Sequence, residues 1–108
     1  MRLPRDTVIA REKVTRYLLR RRAEDDKSAF LALAGYTLEN AERLMTDLRE
    51  QLMTREAELI EHTEYGPKYR IRGTLTGPND RALRVVTIWM ADEAAGVMKF
   101  LTLYPEKI

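Results

Sequence analysis

Apolar residues recur at helical spacing in the first half of the chain, and this pattern predicts three helices. The first helix is predicted over residues 10–21 and the second over residues 26–34, where Gly35 is suited to end it. The third follows Thr37, an N-cap candidate, and is predicted to reach Leu52. Its apolar stripe consists of Leu38, Ala41, Leu44, Met45, Leu48 and Leu52.

The second half of the chain alternates between apolar and polar residues, and this pattern predicts four strands. The strands are predicted over residues 57–63, 68–76, 83–90 and 98–104. Short connections, such as the Gly-Pro-Asn-Asp turn at residues 77–80, favour an antiparallel meander. We therefore predict a single α+β domain over residues 1–108, with the N-terminal helices packed on one face of a four-stranded antiparallel β-sheet.

The two faces of this sheet are predicted to differ in character. The face that we expect the helices to cover carries Tyr69, Ile71, Leu75, Leu83, Val85 and Trp89. The opposite face is predicted to present Lys68, Arg70, Arg72 and Arg84. The third strand is apolar on both faces, which is typical of a central strand that is covered on both sides or lies beside a site. Trp89 and Tyr104 are predicted to be core residues and not base-stacking platforms.

The composition excludes several kinds of site and a membrane-spanning helix. The chain has no cysteine, which excludes disulfides, thiolate metal sites and a thiol nucleophile. No apolar run approaches the ~18 residues of a membrane-spanning helix, and residues 1–10 do not have the pattern of a signal peptide. We therefore expect a cytoplasmic protein without a membrane partner.

Charge is distributed unevenly along the chain. Residues 1–36 contain nine basic and five acidic residues, for a net charge of +4. Residues 37–64 contain three basic and eight acidic residues, for a net charge of −5. Residues 65–108 contain seven basic and four acidic residues, for a net charge of +3. Partners of either sign are therefore compatible with the sequence.

The predicted cationic face is the first candidate site. If the turn at residues 77–80 pairs even-numbered residues with even-numbered ones, Arg70 and Arg72 lie near Arg84. Guanidinium groups suit phosphate, because each donates two parallel hydrogen bonds. Two alternatives stay open: the arginines are paired with the domain's own glutamates, or an odd register scatters them.

His62 is the one histidine and the second candidate, since histidine moves protons near neutral pH. The alternative is a surface histidine without a role. A metal site is not expected, because a regular strand would place Glu58 on one face and Glu61 on the other. No phosphate loop or dinucleotide fingerprint is present, so no cofactor is expected.

Several stretches together resemble a family of small, uncharacterised bacterial proteins that is common in cyanobacteria. They are KVTRYLL at residues 13–19, KSAF at 27–30 leading to Gly35-Tyr36, YGPKY at 65–69, VTIW at 86–89 and TLYP at 102–105. Members are often encoded beside another short protein. The family in turn resembles the ribonuclease toxin superfamily of barnase, EndoU, colicin-type tRNases and RelE.

This resemblance implies a toxin-like, metal-independent endoribonuclease that acts on RNA and is blocked by a small antitoxin-like partner. It implies His62 as proton acceptor, Tyr65 as a candidate acid and Thr102 as a hydrogen-bond donor. Lys68, Arg70, Arg72 and Arg84 would bind the RNA phosphates. The alternatives are a non-enzymatic protein-binding module, which uses the acidic third helix or the edge strand at residues 57–63, and a structural homodimer; the oligomeric state is open.

Overall fold

The second half of the chain forms a four-stranded sheet in the computed structural model, which describes residues 1–21 and 27–107. The strands are β1 (Glu58–Thr63), β2 (Gly66–Thr76), β3 (Ala82–Asp92) and β4 (Val97–Pro105). They lie in the order β1-β2-β3-β4, and each neighbouring pair is antiparallel. The predicted meander is confirmed, and with it the α+β class.

Short helices precede the sheet: α1 (Lys13–Leu18), α2 (Ser28–Ala32) and α3 (Ala41–Asp47). A 3₁₀ turn (Leu38–Asn40) leads into α3, and a π-helical segment (Leu48–Leu52) continues it. Thr37 is the N-cap residue of the turn, as predicted. None of the helices within residues 1–21 and 27–107 is long and apolar enough to cross a membrane.

The first helix is shorter than the prediction of residues 10–21, and its hydrogen bonding is wider than that of an α-helix. Leu19 N donates to Val14 O at 2.9 Å, a spacing of five residues. Met53 N donates to Leu48 O in the same way at 2.9 Å. The predicted start of the second helix at Asp26, like the predicted connection before it, lies outside the described residues.

The core lies between the helices and one face of the sheet. The helices contribute Val14, Leu18, Leu31, Leu44, Leu48 and Leu52, and the sheet contributes Ile71, Leu75, Val85, Trp89, Phe100 and Leu103. Trp89 and Phe100 meet edge to face, with ring centroids 5.1 Å apart. The indole N–H of Trp89 donates to the Thr87 hydroxyl at 2.8 Å, so the buried ring leaves no polar atom unpaired.

A buried carboxylate fixes the third helix to the end of β2. Tyr36 OH donates to Asp47 Oδ2 at 2.6 Å and approaches Thr76 O at 3.2 Å. Arg43 Nε donates to the same Asp47 oxygen at 2.9 Å. Burial and the hydrogen bond to Asp47 raise the pKa of the Tyr36 phenol well above its ordinary value. The neutral phenol therefore persists as a donor to Asp47 at all physiological pH values.

The outer edge of β4 and the part of β2 that extends beyond β1 both form hydrogen bonds with other parts of the chain. Along β4, Val8 N donates to Met98 O at 2.8 Å and Phe100 N donates to Val8 O at 2.8 Å. At the end of β2, the side-chain amide of Gln51 exchanges hydrogen bonds of 2.7 and 3.0 Å with the backbone of Thr76. The outer edge of β1 has no strand partner in the described part of the chain. The sequence did not predict the Val8 pairing.

The Tyr36 hydroxyl is expected to contribute strongly to stability, because its removal leaves Asp47 with one donor fewer in a buried position. Tyr36→Phe should lower the free energy of unfolding by about 1.5–3 kcal/mol, measured by urea denaturation. Tyr65→Phe is the matched control, since the Tyr65 side chain is exposed in the β1–β2 turn. Equal stabilities of the two variants would contradict the role of the Asp47 hydrogen bond.

Candidate anion-binding site on the open sheet face

The face of the sheet opposite the helices, here called the open face, gathers the predicted arginines. Arg72 pairs in register with Val86, and Thr74 pairs with Arg84, so even-numbered residues face even-numbered ones across β2 and β3. The even register is confirmed. Arg70, Arg72 and Arg84 therefore lie on one side of the sheet, and they form what we call the arginine cluster.

An apolar floor lies beneath these cations. Val86, Ile88 and Met90 point to the open face, yet each is buried. Val86 lines a cavity together with Arg70, Arg72 and Tyr104. Long side chains of this kind cover apolar residues with their stems while their polar ends reach water. This arrangement explains why β3 is apolar on both faces.

A cavity of about 460 Å³ opens beside the arginine cluster. It is lined by Arg70, Arg72, Val86, Tyr104, Pro105, Glu106 and Lys107. Tyr104 stands opposite Val86 and is 39% exposed, so the prediction that it is a core residue was wrong. Trp89, the other aromatic residue of that prediction, is fully buried.

A bulge in β4 accounts for the position of Tyr104. Ile88 pairs with Thr102 while Trp89 pairs with Phe100, so Leu101 is an extra residue in the strand. Phe100 before the bulge and Leu103 after it both enter the core. The even-numbered residues after the bulge consequently turn to the open face.

Each member of the arginine cluster has a carboxylate partner. Arg70 Nε donates to Glu58 Oε1 at 2.8 Å, and Arg84 donates to Glu106 Oε1 from two nitrogens at 2.9 and 3.1 Å. Arg72 Nε lies 3.8 Å from Glu106 Oε2. Three guanidinium groups thus share two carboxylates, and the cluster keeps one excess positive charge.

The ion pair between Glu58 and Arg70 lies at the surface, and Glu58 stays ionised near neutral pH. The hydrogen bond from Arg70 lowers the pKa of Glu58 from its ordinary value. Because that pKa is lowered, the stabilisation from the pair is present above the usual carboxyl range and is lost as the pH falls through the lowered value. An anion that binds Arg70 near neutral pH therefore competes with an ionised Glu58.

A second cavity of about 360 Å³ lies at the edge of β2 beyond the end of β1. Its lining consists of Arg55, Arg72, Gly73, Thr74, Arg84 and Glu106. Arg72 and Glu106 line both cavities, so they separate two neighbouring cationic spaces on the same side of the molecule. An extended polyanion could contact both spaces.

The structure separates the other predicted site residues into two groups. Lys68 pairs with Met90 and Thr102 pairs with Ile88, so both share the open face with the arginine cluster. Thr102 Oγ1 lies 3.5 Å from the hydroxyl of Tyr17, a long contact at the limit of a hydrogen bond. Both are thus available to an anion bound on this face.

His62 and Tyr65 are not brought to the arginine cluster. His62 pairs with Pro67, whose side of β2 is the side of Tyr69 and the helices. Tyr65 lies in the β1–β2 turn, where its backbone oxygen accepts a hydrogen bond from Glu93 N at 3.1 Å. The face with the guanidinium groups therefore contains neither of these two predicted catalytic residues.

A bulge in β1 also changes the predicted layout of the glutamates. Glu58 pairs with Arg70 and Glu61 pairs with Lys68, so both glutamates lie on the open face and the prediction of opposite faces was wrong. Ile60 is the extra residue that makes this possible. Within residues 1–21 and 27–107, no three acidic or histidine side chains are arranged to hold a metal ion.

Sequence reasoning missed Glu106, whose carboxylate contacts two of the three arginines in the cluster. Its backbone N–H donates to Arg84 O at 3.0 Å, and this bond continues the β3–β4 ladder past Pro105. The sequence does indicate a shared face, because Thr102, Tyr104 and Glu106 are spaced two residues apart. Which of the two faces they share depends on the bulge at Leu101, which the sequence does not predict.

The fold and this site define a small α+β protein with a cationic, partly apolar open sheet face. The chain matches the family described as a domain of unknown function (DUF6883) over residues 4–107. The chain therefore belongs to that family. Comparison with curated proteins finds no match, and neither does comparison with solved structures.

Removal of the Glu58 charge is expected to strengthen anion binding at Arg70. Glu58→Gln should raise the affinity for inorganic sulfate by a few-fold, because exposed ion pairs are weak and screened by salt. Titration at constant pH and ionic strength measures the effect. Glu61→Gln is the matched control, since Glu61 lies on the same strand and face without an ion pair among the described residues. Equal gains in both variants would point to general charge and not to release of Arg70.

Proposed function

We propose that this protein is a toxin-like, metal-independent endoribonuclease of the cytoplasm that binds RNA at the arginine cluster. The observation that carries the proposal is the convergence of Arg70, Arg72 and Arg84 beside a 460 Å³ cavity on the open face. Guanidinium groups are matched to phosphate oxygens in geometry and charge. They also stabilise the negative charge that develops on a phosphate during cleavage.

Metal-free RNA cleavage requires a base, an acid and a charge stabiliser in one place. The 2′-hydroxyl loses its proton to a base as its oxygen bonds to phosphorus, and the bond to the 5′-oxygen breaks as that oxygen gains a proton. We assign the base to Glu106, because its carboxylate lies between Arg72 and Arg84. We assign the acid to Tyr104, which lines the same cavity.

These assignments replace the ones that the resemblance implies for His62 and Tyr65. The register of β1 and β2 directs His62 to the helix side, away from a phosphate held by the arginine cluster. Thr102 retains its implied role as a hydrogen-bond donor to the substrate, because it shares the open face two residues before Tyr104. Lys68 retains its role as a flanking phosphate contact.

The ion pairs of the free protein are compatible with this proposal. Glu58 is exposed, and exposed pairs such as Arg70–Glu58 contribute little to stability. A phosphate that displaces the carboxylate therefore meets a small energetic cost. The excess charge of the cluster, together with Lys107 in the same cavity, still attracts a polyanion.

A small antitoxin-like protein is the partner that this proposal requires. Such a partner would have to cover the open face, and an acidic surface would complement the cluster. The second candidate function is a protein-binding module without enzymatic activity. The pairing of every cluster arginine with a carboxylate favours this second candidate.

Activity on RNA separates the two candidates. We expect the purified protein to cleave total RNA or tRNA in the presence of EDTA. Arg70→Ala combined with Arg72→Ala should lower the cleavage rate by about 100-fold or more, because two groups that stabilise the transition state are removed. Arg81→Ala is the matched control, since Arg81 lies in the exposed turn between β2 and β3. Absence of cleavage, or an unchanged rate in the double variant, would remove the nuclease proposal.

Glu106→Gln tests the proposed base separately from binding. The variant should lose about 100-fold or more in cleavage rate, yet bind a non-cleavable 2′-deoxy oligonucleotide as well as the wild type or better. The reason is that the neutral amide no longer competes for Arg72 and Arg84. Glu93→Gln, in the exposed β3–β4 turn, serves as control. Cleavage at the wild-type rate would exclude Glu106 as the base and leave the phosphate site untouched.

A further inference from the structure

Strand β1 contributes almost nothing to the core. Every residue of Glu58–Thr63 except Thr63 is exposed, and Leu59 and Ile60 are 50% and 39% exposed. The strand is held by its ladder to β2 and by the Glu58–Arg70 ion pair. An ordered strand that buries no apolar side chain gains little to offset its loss of conformational entropy.

The outer edge of β1 is also the sheet edge that the described chain leaves without a partner. The β4 edge is paired with Val8, and the end of β2 is paired with the Gln51 amide. An unpaired edge presents a row of backbone donors and acceptors, which is the template for addition of another strand. The exposed Leu59 and Ile60 lie on that same strand.

The charge of the edge limits which strand can be added. Residues 56–64 contain four glutamates and neither lysine nor arginine. Glu61 and Glu64 form no ion pair within the described residues. A second copy of this edge would place like charges side by side, which is unfavourable. A cationic strand is complementary.

The two sides of β1 define the pattern of that cationic strand. Glu58 and Glu61 lie on the open side, whereas Leu59 lies on the helix side with Tyr69. Side chains on an added strand alternate between the same two sides. An added strand therefore complements β1 if its cations lie on the open side and its apolar residues lie on the helix side. The bulge at Ile60 interrupts the alternation of β1, so only a short segment can be complementary.

We propose that β1 is a docking edge for an extended segment of another protein in which lysine or arginine alternates with apolar residues. The segment adds to β1 as a fifth strand, with its cations beside Glu61 and Glu58 and its apolar residues beside Leu59. This edge adjoins the cavity that Tyr104 lines, because Glu58 pairs with Arg70 at its border. Strand addition to β1 is nevertheless a binding event of its own, so the inference does not depend on the cleavage of RNA.

The probe is a capped hexapeptide of alternating lysine and valine, with a glutamate–valine hexapeptide as its counterpart. We expect the lysine peptide to shift the amide resonances of Glu58–Thr63 and to slow their hydrogen exchange. The glutamate peptide should leave them unchanged. Glu61→Lys should weaken binding of the lysine peptide by about fivefold, because an attractive cross-strand pair becomes repulsive.

A matched variant and three outcomes make this test decisive. Glu93→Lys places the same charge change in the β3–β4 turn and should leave affinity for the lysine peptide unchanged. Equal affinity of wild type for the two peptides would overturn the proposal. Resonance shifts on the open face of β3 and β4 without shifts in β1 would also overturn it. Self-association of the protein through β1 would replace the cationic partner with a second copy and equally contradict the inference.

Discussion

The structure depends on burial of one face of the sheet beneath short helices. Ile71, Leu75 and Trp89 are fully buried there, and the helical side chains that cover them come from segments too short to be stable alone. On the opposite face, Val86 of β3 lines a cavity together with Arg70, Arg72 and Tyr104, so cations gather on the side of the sheet that faces away from the core.

Most of the fold follows from local patterns in the sequence. The alternation along β2 assigned Tyr69 and Ile71 to the core side and Arg70 and Arg72 to the open side, because β2 is regular over its whole length. The turn at residues 77–80 was predicted, but the sequence left its register open; the structure shows the even register, and Asp80 N donates to Gly77 O at 3.0 Å within the turn.

The errors concentrate in the two outer strands, and both have the same cause. Each outer strand contains a bulge, at Ile60 in β1 and at Leu101 in β4, and each bulge exchanges the two faces for the residues that follow. Tyr104 and Glu61 were assigned to the wrong face for this reason. A bulge is a property of strand pairing, so the local alternation of a single strand does not contain it.

In the candidate site, Glu58 and Glu106 compete with an external anion for the guanidinium groups of the arginine cluster. Glu106 is held on Arg84 by two hydrogen bonds and by the backbone, while Glu58 is exposed and easily displaced. Glu106 is thus fixed beside two arginines of the cluster, whereas Glu58 competes with an external anion for Arg70. The nuclease proposal requires that the three guanidinium groups of the arginine cluster respond to an anion as one site.

Side-chain NMR of the arginine Nε–Hε groups measures that response most directly. In a titration with inorganic sulfate, the account predicts that the resonances of Arg70, Arg72 and Arg84 shift together with one dissociation constant, while that of Arg81 does not move. Independent shifts with different constants, or shifts of exposed arginines outside the cluster alone, would contradict the existence of a single anion site on the open face.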